Sequence, residues 1–439
     1  MKTNKFWTVL SKALAIATVT LIMALILTSG AWAANTYKIL SQFNGTDGAD
    51  PNDAQFVFDA AGNLYGTTVS GGANGHGTVF ELSPNSDGTW TETVLYSFTG
   101  GSDGSNPMAG VIFDTIGNLY GTTLSGGNSG AGAVFTLTPN SSGGWTESVI
   151  YSFTGGSDGQ QVTGGVIFDA IGNLYGTATE GGASGHGVVY ELTPNSGGGW
   201  TQSVLYSFEG GKDGTYPDHA SLIFDTAGNL YGEAAMGGKG NCNWIRRGCG
   251  TVFELTPNPN GTWTETVLHR FAGGKDGGTP ESTLIFDQVG NLYGTTLFAG
   301  GGACGGNGGT GCGTVFQLIP KSGGGWKERV LLRFAAAAKK GTNSWGGLVF
   351  DTTGNLYGTT ITGGGGKCQN WWGAGCGTVF ELSPNSKGGW TEHVLHRFQG
   401  AVGGNPYGEV FLDGQGNIFG MVSGEGTSGS SGAVYEITP

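Results

Sequence analysis

The chain has 439 residues, of which 90 are glycine, and its formal net charge is −13. Three lysines lie in the first 33 residues, so 16 basic and 32 acidic residues follow them, for a net charge of −16. A chain this acidic argues against nucleic acid as a partner. So much glycine is typical of disorder or of a repeat, and the sequence shows a repeat.

The first 33 residues have the features of a secretory signal peptide. Lys2, Lys5 and Lys12 form a basic start, residues 13–27 are apolar, and an A-x-A site ends at Ala33. We expect cleavage there, which leaves residues 34–439 as a single secreted, extracellular domain; the periplasm and the cell surface are alternatives. An uncleaved membrane anchor is the other interpretation. No other segment is long and apolar enough to span a membrane.

The motif Gly-Asn-Leu-Tyr-Gly recurs along the rest of the chain. Six copies start at Gly62, Gly117, Gly172, Gly228, Gly290 and Gly354, and a variant, Gly-Asn-Ile-Phe-Gly, starts at Gly416. The steps between copies are 55, 55, 56, 62, 64 and 62 residues, so the later units carry insertions. Each unit has four short runs rich in β-branched and aromatic residues, with a D-x-x-G-N turn between the first two. This pattern predicts a four-stranded antiparallel meander.

The two ends of the chain predict how the units are arranged. The last unit stops at Pro439 after its third strand, while residues 36–43 align without a gap with residues 91–98, which form a fourth strand. A closed ring explains this division, because the first strand then completes the last sheet. The sequence therefore predicts an all-β fold, a seven-bladed β-propeller closed by the N-terminal strand. The blades are expected at residues 55–98, 110–153, 165–208, 221–271, 283–334, 347–398, and 409–439 together with 36–43.

Six cysteines fall in three pairs, each in the loop between the second and third strands of blade 4, 5 or 6. An even count, with one pair in each loop of an exported chain, predicts three local disulfides. A zinc site is the alternative, but the pairs lie on different blades and no histidine is near them. The pairs are Cys242 with Cys249, Cys304 with Cys312, and Cys368 with Cys376.

The strings FDxxGNLYGTT and GTVFEL resemble the GloVer tandem repeat, a family of exported bacterial repeat proteins. The resemblance covers essentially the whole chain after residue 33. Members typically join the repeats to a cell-surface sorting signal. No such signal follows the last repeat here, so we expect release rather than attachment. The resemblance implies no activity and no catalytic residues.

Four tryptophans after the signal segment fall outside the repeat, in blades 4 to 6: Trp244, Trp345, Trp371 and Trp372. A propeller presents such loops on the face that holds its channel mouth, and aromatic rings there suit stacking on sugars. Polar side chains near them suit hydroxyl or carboxylate groups. These are Tyr216, Arg246, Arg247, Lys367 and Asn370. We therefore expect a non-enzymatic propeller that binds an extracellular polysaccharide or a surface protein; packing of the aromatics on neighbouring loops is the alternative.

Two further hypotheses stay open. Asp218 and His219 precede the first strand of blade 4, and Glu233 replaces a repeated threonine. Together at the channel mouth they would suit acid–base chemistry in a glycan-processing hydrolase or lyase, and unrelated substitutions are the alternative. The chain has no serine-nucleophile, H-E-x-x-H or phosphate-loop motif. The other hypothesis is a structural cell-surface scaffold.

No cofactor is expected from the sequence. The best candidate for a calcium site is the run Asp47, Asp50 and Asp53. Carboxylates at this spacing suit calcium, but Asp-Gly is also ordinary turn chemistry.

Overall fold

The structure is a computed structural model that describes residues 35–51, 55–242, 247–302, 304–306, 309–335, 339–370, 373–424 and 430–439. The predicted signal peptide, residues 1–33, lies outside the described residues. The described residues form strands and turns, and they provide no helix of the length and hydropathy that a membrane crossing requires.

Seven four-stranded antiparallel sheets form the seven blades of a propeller, as the repeat predicts. We name the strands of each blade first to fourth, from the central channel outwards. The first strands are Val57–Phe58, Ile112–Phe113, Ile167–Phe168, Ile223–Phe224, Ile285–Phe286, Val349–Phe350 and Phe411–Leu412. The second strands are Leu64–Thr68, Leu119–Thr123, Leu174–Ala178, Leu230–Ala234, Leu292–Thr296, Leu356–Thr360 and Ile418–Val422.

The outer half of each blade contains the longer strands. The third strands are Thr78–Pro84, Ala133–Pro139, Val188–Pro194, Thr251–Pro257, Thr314–Pro320, Thr378–Pro384 and Ala433–Thr438. The fourth strands are Trp90–Ser97, Trp145–Ser152, Trp200–Ser207, Trp263–Arg270, Trp326–Arg333, Trp390–Arg397 and, for blade 7, Thr36–Gln42. Three two-residue pairs lie in the insertions: Gly305–Gly306 with Gly309–Thr310, Gly341–Thr342 with Thr362–Gly363, and Gln369–Asn370 with Gly373–Ala374.

The N-terminal strand closes the ring. Thr36–Gln42 pairs antiparallel with Ala433–Thr438, with Ile39 opposite Tyr435 and Ser41 opposite Val434. Seven clusters of buried apolar side chains then fill the spaces between neighbouring blades, including the space between blade 7 and blade 1. The predicted seven-bladed propeller with N-terminal closure is therefore confirmed.

The last glycine of the repeated motif leaves room for an aromatic ring. Gly66 lies opposite Phe80 of the third strand, and a Cβ atom on Gly66 would lie 2.8 Å from the Phe80 ring. The Phe80 ring meets Phe43 of the neighbouring blade edge-on, with ring centroids 5.2 Å apart. The other six blade interfaces repeat this pair at 5.0 to 5.4 Å. Such pairs add about 0.5–1.5 kcal/mol each to the burial of the rings.

The Asp of the D-x-x-G-N turn organises the opposite end of the motif. In blade 1, Asp59 accepts hydrogen bonds from the backbone N–H of Ala61 and Asn63 at 2.8 and 2.9 Å, and from the Tyr65 hydroxyl at 3.2 Å. Gly62 in the same turn has φ 86°, a conformation that favours glycine. Burial raises the pKa of Asp59, but these hydrogen bonds outweigh it and hold the pKa below its ordinary value. The D-x-x-G-N motif therefore stabilises the turn between the first and second strands.

A pair of facing carboxylates repeats at the outer edge of the blades. Asp103, in the connection from blade 1 to blade 2, accepts from the Thr99 N–H at 2.7 Å and the Tyr96 hydroxyl at 3.0 Å. Glu147 of blade 2 faces it, and burial together with the charge of Asp103 raises the pKa of Glu147 to about 7. The same pair recurs as Asp47 with Glu92, Asp213 with Glu265, and Asp276 with Glu328.

Two blades replace this pair with groups that repel less. In blade 3 the outer position is Gln202, whose amide donates to the Asp158 carbonyl at 3.2 Å. In blade 6 the glutamate is kept as Glu392, but it forms an ion pair with Lys340 of the preceding connection. Blade 3 thus has a neutral residue, and blade 6 an ion pair, where blades 1, 2, 4 and 5 have two facing carboxylates.

We expect the closing strand to be essential for stability. A chain that begins at residue 44 loses the burial of Leu40 and Phe43, which are 8% and 2% exposed. At about 1.5–3 kcal/mol for each side chain, the free energy of unfolding should fall by at least about 3 kcal/mol. The bare edge of Ala433–Thr438 should also promote self-association. Denaturant unfolding and size-exclusion chromatography test this, with a chain that begins at residue 36 as the control. A monomer of unchanged stability would contradict it.

We also expect the outer glutamates to make stability depend on pH. Folding raises the pKa of Glu92, Glu147 and Glu265 from 4.5 to about 7, so the stability they contribute is complete below about pH 4.5 and is lost as the pH rises through 7. Because these side chains keep access to water, changing all three to Gln should stabilise the protein at pH 8 by only about 1 kcal/mol per site. The melting temperature at pH 5 should change little.

The neutral site of blade 3 supplies the matched control for this pH experiment. Gln202→Glu should lower the melting temperature at pH 8 and leave it nearly unchanged at pH 5. If the wild type and the triple Gln variant lose stability equally between pH 5 and pH 8, the outer glutamates are not responsible.

Candidate functional site

The irregular features of the chain lie on one face of the propeller. In an antiparallel meander, the connections between blades and the loops between second and third strands leave the sheet at the same end. An isolated bridge between Ser105, in a connection, and Ser125, in such a loop, shows this directly. We call this the loop face. The opposite turn face carries the D-x-x-G-N turns and the turns between third and fourth strands.

Three disulfides constrain the loop face in blades 4, 5 and 6, as predicted. They join Cys242 to Cys249, Cys304 to Cys312 and Cys368 to Cys376, across seven or eight residues of sequence. The first pair is also part of the core, because both its cysteines are buried in a cluster that includes Phe271. Three disulfides are consistent with an extracellular protein.

Four of the predicted ligand-binding residues lie in these loops but outside the described residues. They are Trp244, Arg246, Trp371 and Trp372. Their neighbours are described in part. The Arg247 guanidinium donates to the Tyr216 hydroxyl at 3.0 Å, Lys367 is exposed, and the backbone of Asn370 pairs with Gly373 in a two-residue strand. The structure thus brings Arg247 and Tyr216 together.

Trp345 lies at the mouth of the central channel. It is half-buried, and its ring lies edge-on to His219 of blade 4, with centroids 5.0 Å apart, and edge-on to Tyr407 of blade 7 at 5.6 Å. A small apolar cluster that includes Leu297 and Ile361 supports it. Three blades therefore contribute one aromatic group, which we call the mouth cluster: His219, Trp345 and Tyr407.

Asp218 and His219 are in contact, but Asp218 also faces blade 3. The carboxylate lies 3.4 Å from His219 Nε2 and accepts from the hydroxyls of Thr163 and Thr179 at 2.7 and 3.0 Å. His219 has φ 58°, and its N–H donates to Thr163 at 3.0 Å. Together these bonds fix the segment that carries His219 into the channel.

Glu233 faces the other side of blade 4. It is 2% exposed and accepts from the Ser282 N–H of blade 5 at 2.9 Å. Burial raises its pKa well above the ordinary value, and the charges of Glu281 and Glu409 add to this, against the hydrogen bonds from Ser282. At this position blades 1, 2, 5 and 6 have a threonine that bonds to a carbonyl of the next blade, as Thr67 bonds to Ala109. The sequence groups Glu233 with Asp218, whereas the structure places them at opposite sides of the blade.

A polar network that the sequence analysis missed crosses the channel. Gln55 of blade 1 donates to Glu409 of blade 7 at 2.8 Å and to the hydroxyl of Thr283 of blade 5 at 3.2 Å. The backbone N–H of Ser221, in blade 4, donates to the same hydroxyl at 3.2 Å. Burial raises the pKa of Glu409 to about 7, although hydrogen bonds from Thr283 and Gln55 oppose it. We call Gln55, Ser221, Thr283 and Glu409 the channel network.

Comparison of the units could have found this network. Its four members occupy one position, three residues before the end of the first strand, where the remaining blades have glycine: Gly110, Gly165 and Gly347. The signal in the sequence is therefore the loss of a repeated glycine, which adds a side chain at the narrowest part of the ring.

The channel leaves little space around this network. The cavity bounded by the mouth cluster, the channel network and Glu281 offers about 50 Å³ to the centres of water-sized molecules. This volume suits a few waters or one small polar group. The channel interior is therefore a narrow cavity with polar groups from blades 1, 4, 5 and 7 in its lining.

The residues considered for a cation lie apart from the channel. Asp47 accepts from the N–H of Asn44 at 2.9 Å, and Asp50 accepts from the Ser70 hydroxyl at 3.0 Å. Asp53 lies outside the described residues. Within the part of the chain that the structure describes, no group of three or more His, Cys, Asp or Glu side chains is arranged to hold a metal ion.

Sequence comparison identifies the family. The model of the Gloeobacter/Verrucomicrobia repeat matches residues 28–246 and again residues 246–439. The chain therefore belongs to this family of repeat proteins. No curated protein matches the sequence. Among solved structures, a protein named as a putative oxidoreductase (glucose dehydrogenase) from Thermus thermophilus aligns over 92% of this chain and 100% of its own, with 15% identity and a TM-score of 0.44.

We expect the channel network to stabilise the ring. Thr283→Val removes the hydroxyl that accepts from both Gln55 and the Ser221 N–H, and leaves these donors without that partner. The cost should be about 1–3 kcal/mol in the free energy of unfolding, measured with denaturant. Thr93→Val, at an exposed position of a fourth strand, is the control and should change stability by less than about 0.5 kcal/mol. Equal effects of the two changes would contradict a special role of the network.

Proposed function

We propose that this protein is an extracellular propeller that binds a polysaccharide across the loop face of blades 4 to 6 and does not process it. The observation that carries the proposal is the placement of the departures from the repeat. The disulfides and the mouth cluster lie on one face of an otherwise uniform ring. Variable, rigid loops on a repetitive scaffold are typical of binding surfaces.

The mouth cluster supports a carbohydrate ligand. Trp345 keeps part of its ring exposed, while Tyr407 and His219 hold it edge-on on two sides. A fixed aromatic ring loses little entropy when a sugar stacks on it, because its side chain is already ordered. The hydroxyl of Tyr216 and the guanidinium of Arg247 lie on the same face and can bond to sugar hydroxyls.

The hydrogen bonds of the carboxyl groups near the channel favour binding over catalysis. A glycosidase needs two carboxyl groups on either side of a sugar ring, about 5–10 Å apart. Here Asp218 bonds to threonines of blade 3, Glu233 bonds to Ser282 of blade 5, and Glu409 belongs to the channel network.

The extracellular location rests on two features of the chain. The basic and apolar start with an A-x-A site is the sequence feature. The three disulfides are the structural one, because such bonds persist in oxidising compartments. A polysaccharide is a partner that a secreted protein meets in abundance outside the cell.

A panel of polysaccharides tests the proposal directly. Binding of the mature protein, with its disulfides intact, is measured by affinity electrophoresis and calorimetry. Trp345→Leu should weaken binding about ten-fold, which corresponds to about 1.4 kcal/mol of lost stacking. The melting temperature of the variant is measured in parallel, because Trp345 also packs against Tyr407 and His219.

Exposed apolar residues of the turn face supply the control. Ile116 and Ile171 are each 82% exposed in the D-x-x-G-N turns. Their replacement by alanine should leave binding unchanged. Loss of binding in the isoleucine variants, with full binding in a folded Trp345→Leu variant, would place the site on the wrong face and overturn the proposal. Absence of binding to every polysaccharide would overturn it as well.

A further inference from the structure

The basic residues of the chain are concentrated in the disulfide-bearing blades. Residues 34–208 contain one basic residue, Lys38, whereas residues 209–439 contain 15. Two repeated positions account for six of them. At the end of the fourth strand, blades 1 to 3 have serine and blades 4 to 6 have Arg270, Arg333 and Arg397. In the preceding connection, a lysine stands in the same three blades: Lys212, Lys275 and Lys339. We call these six residues the cationic arc.

One hydrogen bond repeats along the arc in an identical register. The Nε atom of Arg270 donates to the Lys212 carbonyl at 2.7 Å. Arg333 bonds to Lys275 at 2.9 Å and Arg397 to Lys339 at 2.8 Å, in each case across 58 residues of sequence. Among the residues that the structure describes, the Nη atoms of these three arginines hydrogen bond to none. Each guanidinium is therefore oriented by its Nε atom and presents its outer edge to solvent.

Serine makes a different hydrogen bond at the same position in the first three blades. The Ser152 hydroxyl accepts from the Asn128 N–H at 2.7 Å, and the Ser207 hydroxyl accepts from the Ala183 N–H at 2.8 Å. Serine there ties the strand to its own short loop. The change to arginine in blades 4 to 6 thus replaces an internal contact with a charge on the loop face.

Nearby acids offset the arc in blades 4 and 5 but much less in blade 6. Burial raises the pKa of Asp276, but hydrogen bonds from His269 and the Ala272 N–H, together with the charges of His269 and Arg333, hold it below its ordinary value. Arg270 partly offsets the raised pKa of Glu265. In blade 6 the aspartate position is occupied by Lys340, which pairs with Glu392. Lys339 and Lys367 are exposed beside it. The positive charge therefore increases along the arc towards blade 6.

Two open grooves on this side of the ring have lysine and arginine side chains in their walls, each with a histidine beside them. One, between blades 3 and 4, includes His186, Lys212, Lys239 and Arg247. The other, at the edge of blade 6, is lined by Lys339, Lys340, His393 and Arg397, with Glu392 at its wall. The arc joins these grooves across blades 4, 5 and 6.

We propose that the ligand of the loop face is an acidic polysaccharide, whose carboxylate groups bind along the cationic arc. This inference rests on the proposed function and specifies the class of polymer. Guanidinium groups match carboxylates in a planar, two-point geometry, and three of them in one register suit a repeating anion. Residues 34–208, which include blades 1 to 3, contain 14 carboxylates and one lysine, and they repel a polyanion and confine it to the arc.

The test compares two forms of one polymer. Polygalacturonate and its carboxyl-reduced form are titrated into the mature protein at low and at high salt. The wild type should prefer polygalacturonate, and salt should weaken that preference. Changing Arg270, Arg333 and Arg397 together to Ser, the residue that blades 1 to 3 use there, should lower the affinity for polygalacturonate at least about ten-fold. Binding of the reduced polymer should be unchanged, and the triple Lys variant should restore part of the affinity.

A charge-matched control separates the arc from net charge. Lys321, Lys327 and Lys387 are exposed and lie away from the loop face, and their joint change to Ser removes the same three charges. It should leave binding unchanged. Equal losses in the two triple variants, or none in the arginine variant, would overturn the inference.

The remaining outcomes separate this inference from the proposed function. If the wild type binds both forms of the polymer equally, the proposed function stands and this inference fails. If it binds no polysaccharide at all, both fail. Equal binding to double-stranded DNA or to phosphatidylglycerol vesicles would show a general polyanion surface and would overturn the assignment to polysaccharide.

Discussion

The packing of an aromatic ring over a strand glycine is the contact on which the whole ring depends. In each blade the glycine of the second strand lies under an aromatic residue of the third, and this ring reaches the phenylalanine of the neighbouring blade. Any side chain in place of the glycine would lift the ring and open the blade interface, since protein interiors tolerate little change in volume. Repetition of one tight contact at seven interfaces lets a chain with 90 glycines form a defined core.

Because the core is the same in every blade, the positions where the units differ can be identified individually. Glycine near the channel is replaced by Gln55, Thr283 and Glu409, which form a polar network across the centre. Serine at the rim is replaced by arginine, and a short loop by a longer one with a disulfide. All these changes leave the glycine–aromatic contact intact. The arginines at the rim are therefore free to serve a surface role, whereas the channel network and the Cys242–Cys249 pair also contribute to the packing of the ring.

The channel interior is narrow, so the loop face offers the wider surface for a ligand. Many propellers keep an open central channel, where a ligand would meet groups from several blades at once. Here the cavity around Glu409 has space for a few waters, and Trp345 lies over it with His219 and Tyr407. A polymer would therefore contact the outer side of the mouth cluster and the rim. Blades 1 to 3 are acidic and blades 4 to 6 carry the cationic arc, so the two sides of the loop face differ in charge.

The sequence by itself determined the number of blades, the closure of the ring and the three disulfides. Each depends on local patterns: a repeated turn motif, a strand missing at one end and present at the other, and cysteines seven or eight residues apart. Only the tertiary structure decided which side chains meet. It separated Glu233 from Asp218, joined Trp345 to His219 and Tyr407, and revealed the channel network. These residues lie tens to hundreds of positions apart, and their contacts arise from closure of the ring, which no local pattern encodes.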